Sequence, residues 1–142
     1  MSEYNFSTYN EMFDYLTSKN NNPKLLNYLN VNNEYESIST LEFKDKVICL
    51  CAALQSLGIV KKDRVAIFVN SSPFWLIFDF AIQQLGATSV PIFANISTKN
   101  LNFELEDSQC KFIFLEDIER IKDIKKDIKI ITHKFCKEES NV

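Results

Sequence analysis

Several groups of side chains in this sequence could do chemistry, and their spacing limits what each can do. Asn70-Ser71-Ser72 follows a short apolar run and precedes Pro73. Backbone amides at a helix start could hold an anion there. The turn contains no glycine, so the backbone cannot close easily around a phosphate, and helix capping is the reading these residue types favour. The chain has 2 glycines in all. These are Gly58 and Gly86, both placed where helices should end, so neither a Walker loop nor a dinucleotide fingerprint can be built from them. Lys61-Lys62 could attract an anion but reads better as a solvated turn ahead of a strand. Asp107-Ser108 offers an acid and a hydroxyl without the third partner of a triad, which makes it a helix end. Glu116-Asp117 and Glu138-Glu139 read as a helix cap and a solvated tail rather than a general acid and base. The lone histidine, His133, has no neighbouring Cys or acid pattern and is expected at the surface.

Cys49, Cys51, Cys110 and Cys136 include no C-x-x-C pair. Cys49 and Cys51 stand two apart in a helical pattern and point in different directions, so no metal site is expected. Buried or incidental thiols in a reducing cytosol fit better. Trp75, in a run of aromatic residues, could line an apolar ligand tunnel, but core packing fits a helix with almost no polar face. No residue is therefore assigned to catalysis, cofactor binding or metal ligation.

The chain has 142 residues, 46% of them hydrophobic, and a formal net charge of -3. That is one domain's worth with an ordinary core. No face shows the Lys/Arg clustering that a phosphate backbone requires, so no nucleic-acid partner is expected. Met1 to Phe13 is polar and acidic, which does not fit a signal peptide. The most hydrophobic window, Phe74 to Ile96, is broken by Asp79, Gln83, Gln84 and Gly86 and falls short of a membrane span.

The elements that would position these residues follow from periodicity. Phe6, Tyr9, Met12, Phe13 and Leu16 mark one face of an amphipathic helix over residues 1–19. Lys24 to Val31 is a candidate strand that Asn32 and Asn33 turn back into Glu34 to Ile38. Ser39-Thr40-Leu41-Glu42 fits a capping box and starts a helix whose apolar residues Val47, Cys51, Leu54 and Leu57 run to Gly58. Val65 to Val69 is a buried strand. Asn70, Ser71, Ser72 and Pro73 then start an apolar helix that ends at Gly86, and Thr88 to Phe93 is a second buried strand. This is a βαβ crossover. Ser97 or Thr98 caps a helix through Leu101 and Leu105, and Lys111 to Leu115 is the next strand. Asp117 caps a helix with Ile118, Ile121 and Ile124 on one face, and Ile128 to Ile131 is a fourth strand. The alternation predicts an α/β fold, a parallel sheet with helices on both faces, preceded by a helix and a β-hairpin.

From Ile38 to Asp117 the residues resemble the N-terminal part of the adenylate-forming (AMP-binding) superfamily, in particular a long-chain fatty acid-CoA ligase, an acyl-CoA synthetase. Ser39-Thr40-Leu41-Glu42-Phe43 resembles its first core motif, with aromatic and aliphatic positions exchanged. Gly58 to Ile67 resembles Gly-Val-x-x-Gly-Asp-Arg-Val-Ala-Ile, with Lys62 in place of the usual glycine. Asn70 to Trp75 resembles the Asn-x-x-Glu-Trp of the long-chain branch, with Phe74 replacing the acid. Gly86 to Ile92 is similar to Gly-Ala-x-x-Val-Pro-Ile, with Ala94 where a proline is common, and Leu105 to Lys111 is similar to Leu-x-Asp-Ser-x-x-Lys.

The resemblance implies a distorted Rossmann or flavodoxin-like subdomain, with residues 1–38 as helix and hairpin, 39–132 as the α/β core and 133–142 as a tail. It implies a parent enzyme that activates a carboxylate with ATP to an acyl-adenylate, releasing pyrophosphate, and passes the acyl group to coenzyme A. ATP, Mg and coenzyme A would belong to that parent, whose phosphate loop and C-terminal lysine domain lie downstream. The chain is accordingly expected to be a truncated N-terminal subdomain, inactive alone, with the remainder of the parent as partner. A cytoplasmic location is expected, membrane-peripheral in the parent, and a fragment that self-associates through its uncovered face. A free-standing binding or interaction module is the alternative. A flavodoxin-like nucleotide binder would need a phosphate-cradling loop that is absent.

Overall fold

The computed structural model describes residues 4–132. Along them run α1 (Tyr9–Lys19), β1 (Leu26–Leu29), β2 (Tyr35–Ile38), α2 (Thr40–Ser56), β3 (Arg64–Phe68), α3 (Pro73–Gln84), β4 (Thr88–Pro91), α4 (Thr98–Ser108), β5 (Phe112–Leu115), a 3₁₀ turn (Ile118–Asp123) and β6 (Lys129–Thr132). His133, Cys136 and Glu138-Glu139 lie outside the described residues. Two compact units divide the elements: α1, the hairpin, α2 and α3 in one, and β3, the body of β4, α4, β5, the 3₁₀ turn and β6 in the other.

In the helical unit, α1 starts later than its hydrophobic pattern suggests. Thr8 Oγ1 accepts from the Glu11 amide at 3.2 Å, and the Ser7 amide donates back to the Glu11 carboxylate at 2.8 Å. This reciprocal cap leaves Phe6 outside the helix. The expected apolar face is also corrected: Phe13 and Thr17 are buried, whereas Leu16 is 43% exposed. Thr17 can occupy a buried position because its hydroxyl donates to the Phe13 carbonyl at 2.8 Å.

The hairpin pairs Leu26 with Ile38 and Leu29 with Tyr35, antiparallel and shorter than expected. Its turn closes on the Asn30 side chain, which accepts from the amides of Asn32 and Glu34, while Asn33 takes φ 60°.

Ser39 starts α2 with the anticipated capping box. The bond from the Ser39 amide to Glu42 holds that carboxyl below its usual range. Phe43, Val47 and Leu54 are buried, but Leu57 is 49% exposed and Cys51 half-buried, so the apolar stripe is narrower than expected. The rings of Phe13, Phe43 and Phe80 meet at centroid distances of 6.3, 5.8 and 5.3 Å and centre this unit.

Pro73 opens α3, yet the Ser72 hydroxyl makes no capping bond, which corrects the reading of that serine as a side-chain cap. Ile77, Phe78, Ala81 and Ile82 are buried, while Phe74, Trp75, Leu76 and Phe80 are half-buried. Every side of the helix is apolar, as its composition demanded. Gly86 ends it at φ +70°.

The second unit carries a four-stranded sheet in the order β4-β3-β5-β6. β3, β5 and β6 pair in parallel. Thr88 donates to the Asp63 carbonyl and Ile92 to the Ile67 carbonyl, the same offset at both ends, so β4 also runs parallel to β3. Ala66, Phe68, Ile113 and Leu115 pack with Leu101 and Leu105 of α4. Val65, Ile67, Phe112 and Phe114 on the opposite face are equally buried. The expected α/β parallel sheet is the fold that forms.

Three expectations in this unit are corrected. β4 is an edge strand rather than a buried one, and Phe93, left outside it, is 80% exposed. The expected helix after Asp117 is a 3₁₀ turn with Ile118 at 59% and Ile121 at 39% exposure. The bond between Arg120 Nε and Asp123 Oδ2, 2.6 Å, suits the i,i+3 spacing of that turn, and extended backbone at Ile124 ends it. β6 sits one residue later than expected and its Ile130 is 37% exposed.

Lys62 adopts φ 73°, a left-handed conformation that disfavours a Cβ. Its side chain is exposed, so little packing offsets the strain. Lys62→Gly is expected to raise the unfolding free energy by about 0.5–1 kcal/mol, after the extra entropy of an unfolded glycine. A urea midpoint that stays put or falls at unchanged slope would contradict this.

Candidate functional site

In an open parallel sheet, ligands bind beyond the carboxyl ends of strands where the strand order reverses. Here the chain leaves β3 for β4 on one side and returns to β5 on the other, so the reversal lies between β3 and β5. The residues just past those strands are Asn70 and Glu116. One carboxylate oxygen of Glu116 accepts both the Asn70 amide, at 3.0 Å, and the Asn70 side-chain nitrogen, at 3.2 Å. The position where a ligand would enter is thus bridged by the protein's own side chains. Sequence reasoning read Asn70 as a cap and Glu116, with Asp117, as part of a helix cap, and missed this pair. A contact 46 residues apart leaves no local signal.

Beside it stands Arg120, also missed. Its Nε pairs with Asp123, its Nη2 donates to the Ile96 carbonyl at 2.9 Å, and its guanidinium lies 5.0 Å from the Phe68 ring centroid. Asp117 behaves as the cap it was expected to be, accepting from the Glu119 amide at 3.0 Å.

The other sequence candidates fall into architectural roles. Ser108 donates to the Leu105 carbonyl at 3.4 Å and to Cys110 Sγ at 3.2 Å, which is a helix end and not a nucleophile with a base. Cys110 is buried, and burial pushes its thiol up, as it does for Cys51; Cys49 is exposed. Among the described residues no three His, Cys, Asp or Glu side chains gather where a metal could be held. Lys62 donates its amide to the Gly86 carbonyl at 2.9 Å, and Lys61 Cγ would lie 3.1 Å from a Cβ on Gly86, so this lysine pair is a structural turn. Asp63 closes it, accepting from the Val60 amide at 3.0 Å.

What the motif residues do is join to one another. The Lys62 and Asp63 segment meets the Gly86 to Ile92 segment through the bonds at Gly86 O and Asp63 O. Arg64 Nη1 reaches the Ser108 carbonyl at 2.9 Å, and the Lys111 amide donates to the Arg64 carbonyl at 3.0 Å.

A parallel α/β sheet whose joints carry those motifs is the N-terminal architecture of adenylate-forming enzymes. The family described as AMP-binding enzyme matches residues 17–141, and the chain belongs to that family. It is 33% identical over 82 residues to the long-chain-fatty-acid–CoA ligase FadD15 of Mycobacterium bovis, covering 58% of this chain and 14% of that ligase. It is 35% identical over 81 residues to the acetyl-coenzyme A synthetase of Mycolicibacterium smegmatis, covering 57% of this chain and 9% of the relative. The chain therefore spans a minor part of the curated relatives it matches. Among solved structures, an artificially fused adenylation and carrier di-domain, NpsA-ThdA from Klebsiella oxytoca, superposes with a TM-score of 0.76 at 21% identity, over 92% of this chain and 25% of that one. An acyl-CoA synthetase of Brucella canis gives 0.73 at 16% identity, over 82% and 22% of the respective chains.

Arg120→Lys keeps the charge but loses the planar fork that serves Asp123 and Ile96 together. It should lower the unfolding free energy by about 1–2 kcal/mol, seen as a lower thermal midpoint. Equal midpoints for Lys and Arg would show that a point charge suffices.

Proposed function

We propose that this chain is the N-terminal scaffold of a fatty acid-CoA ligase, an ATP-dependent acid-thiol ligase, and that alone it does not form acyl-adenylate. The observation that carries the reading is that its family motifs are spent on joints. Lys62 to Gly86, Asp63 to Thr88 and Arg64 to Ser108 are hydrogen bonds that hold the frame, and the switch point is bridged by Asn70 and Glu116. Both glycines of the chain end helices, which leaves none for a phosphate loop.

On this reading ATP, Mg and coenzyme A are bound by the remainder of the parent chain, which is also the partner of this subdomain. The named relatives include ligases for long-chain fatty acids and for acetate. The Asn70 to Trp75 segment favours the long-chain class, because it resembles that branch and adds half-buried Phe74 and Trp75 to an apolar helix. Among the described residues no helix is long and apolar enough to cross a membrane, and the proposed location is the cytoplasm.

ATP-pyrophosphate exchange tests the proposal, run on the purified 142-residue chain with palmitate and with acetate. No exchange above the enzyme-free blank is expected with either acid, while a full-length ligase run alongside exchanges label. Turnover above the blank that scales with chain concentration would overturn it.

A further inference from the structure

Residues 117–128 carry the chain from β5 back to β6. Both ends are anchored in the sheet, by Leu115 in β5 and by the Lys129 amide on the Lys111 carbonyl. Between those anchors the segment's own backbone bonds are local, Arg120 to Asp117 and Ile124 to Ile121, and among the described residues none reaches another element. Side chains dock it instead, and their partners lie on α4 or just before it. Arg120 Nη2 donates to the Ile96 carbonyl at 2.9 Å and Lys126 Nζ to the Leu105 carbonyl at 3.0 Å. Asn102 makes two more ties: its Nδ2 donates to the Asp123 carbonyl at 2.7 Å, and its Oδ1 accepts from the Lys125 amide at 2.8 Å. Ile124 and Ile128, both half-buried, pack against the core cluster that includes Leu101, Leu105, Cys110 and Ile113. Cys110 is 1% exposed, and Lys126 stands close enough for its charge to act on that thiol.

We propose that residues 117–128 are a strap that opens as one unit while the sheet and α4 stay folded, and that this opening is what exposes Cys110 to solvent. The groups that hold the strap are carbonyls, amides and charged side chains, which water satisfies as it lifts, so opening forfeits little beyond the burial of Ile124 and Ile128. Global unfolding forfeits the buried faces of β3 and β5 as well. The strap therefore opens at a lower free energy than the sheet. Shared partners make it a single unit. Asn102 serves Asp123 and Lys125, and Arg120 serves Asp123 and Ile96, so the loss of one tie loosens the next. α4 does not depend on the strap, since Leu101 and Leu105 pack on β3 and β5 and Arg64 holds the Ser108 carbonyl at the helix end. The fold thus carries a conformational device that hides a thiol when closed and presents it when open. The inference is independent of the proposed ligase role and could fail without touching it.

Alkylation of the 142-residue chain by iodoacetamide under native conditions tests it, in a Cys49→Ser, Cys51→Ala, Cys136→Ser background that leaves Cys110 as the one thiol. Labelling should be slow, yet faster than global unfolding allows. Its dependence on urea should fall well below the slope of the unfolding transition, because a lifted strap exposes little surface. Asn102→Ala keeps a good helix former in α4 and removes two ties, so it should speed labelling on the order of tenfold or more. Ile67→Val weakens the sheet, which is folded in both the closed and the open state, so it should lower the urea midpoint and leave labelling in water unchanged. Amide exchange without the Asn102 substitution gives a second reading should that variant disturb folding: the amides of Ile124 and Lys125 should open with the same free energy as Cys110. Labelling with the full urea slope overturns the inference, since Cys110 would then appear only on global unfolding. So does an Asn102→Ala rate equal to that of the background, or a rate that Ile67→Val raises in step with its loss of stability. Amides of Ile124 and Lys125 that open at free energies unlike that of Cys110 overturn it as well.

Discussion

β3, like β5 beside it, is a strand with no open side. β4 and β5 take its two edges, and Val65, Ala66, Ile67 and Phe68 are at most 4% exposed, so neither face sees water. A strand in that position must be apolar at every residue, which is why Val65 to Phe68 shows no alternation. Its ends then carry the polar work: Asp63 before it, Arg64 as its exposed first residue and Asn70 after it. Truncating a side chain such as Ile67 would cost about 2–5 kcal/mol, since nothing can collapse into the space. The pairing of β5 and β4, and through β5 the pairing of β6, all depend on this strand being formed.

The two arginines are placed with respect to α4 in a way that a lysine could not match. Arg64 holds the carbonyl of Ser108 at the end of that helix, and Arg120 holds the carbonyl of Ile96 just before it. Asn102 adds a third tie, donating to the Asp123 carbonyl at 2.7 Å and accepting from the Lys125 amide at 2.8 Å. The helix is thereby fixed at both ends and along its side, with Leu101 and Leu105 fully buried beneath it. Residues that resemble the family's motifs thus serve here as joints within this frame.

Elements with a local cause were legible from the residues alone. The capping box at Ser39, the Asn32-Asn33 turn, Pro73 as a helix start and Gly86 as a helix end all act within a few positions of themselves. Elements whose fate is decided by distant partners were not. β4 read as a buried strand because its residues are apolar, but strand order decides that it lies at an edge. The isoleucines at 118, 121 and 124 have helical spacing, yet the turn tightens where Arg120 finds Asp123 and Ile96. The candidate site was hidden for the same reason, since Asn70 and Glu116 meet across 46 residues. The two glycines were legible in the same way as the local elements, since each takes a positive φ just past a helix, Gly58 after α2 and Gly86 after α3.

Native-state amide hydrogen exchange on the intact chain tests the dependence of the fold on β3 most directly. The amides of Ala66, Ile67, Phe68 and Phe114 should exchange only through global unfolding, with opening free energies equal to that from denaturant titration, while the 3₁₀ turn and the β1-β2 hairpin exchange through smaller local openings. If the amides of β3 opened at lower free energy than those of the hairpin, the strand would not be the element on which the rest depends.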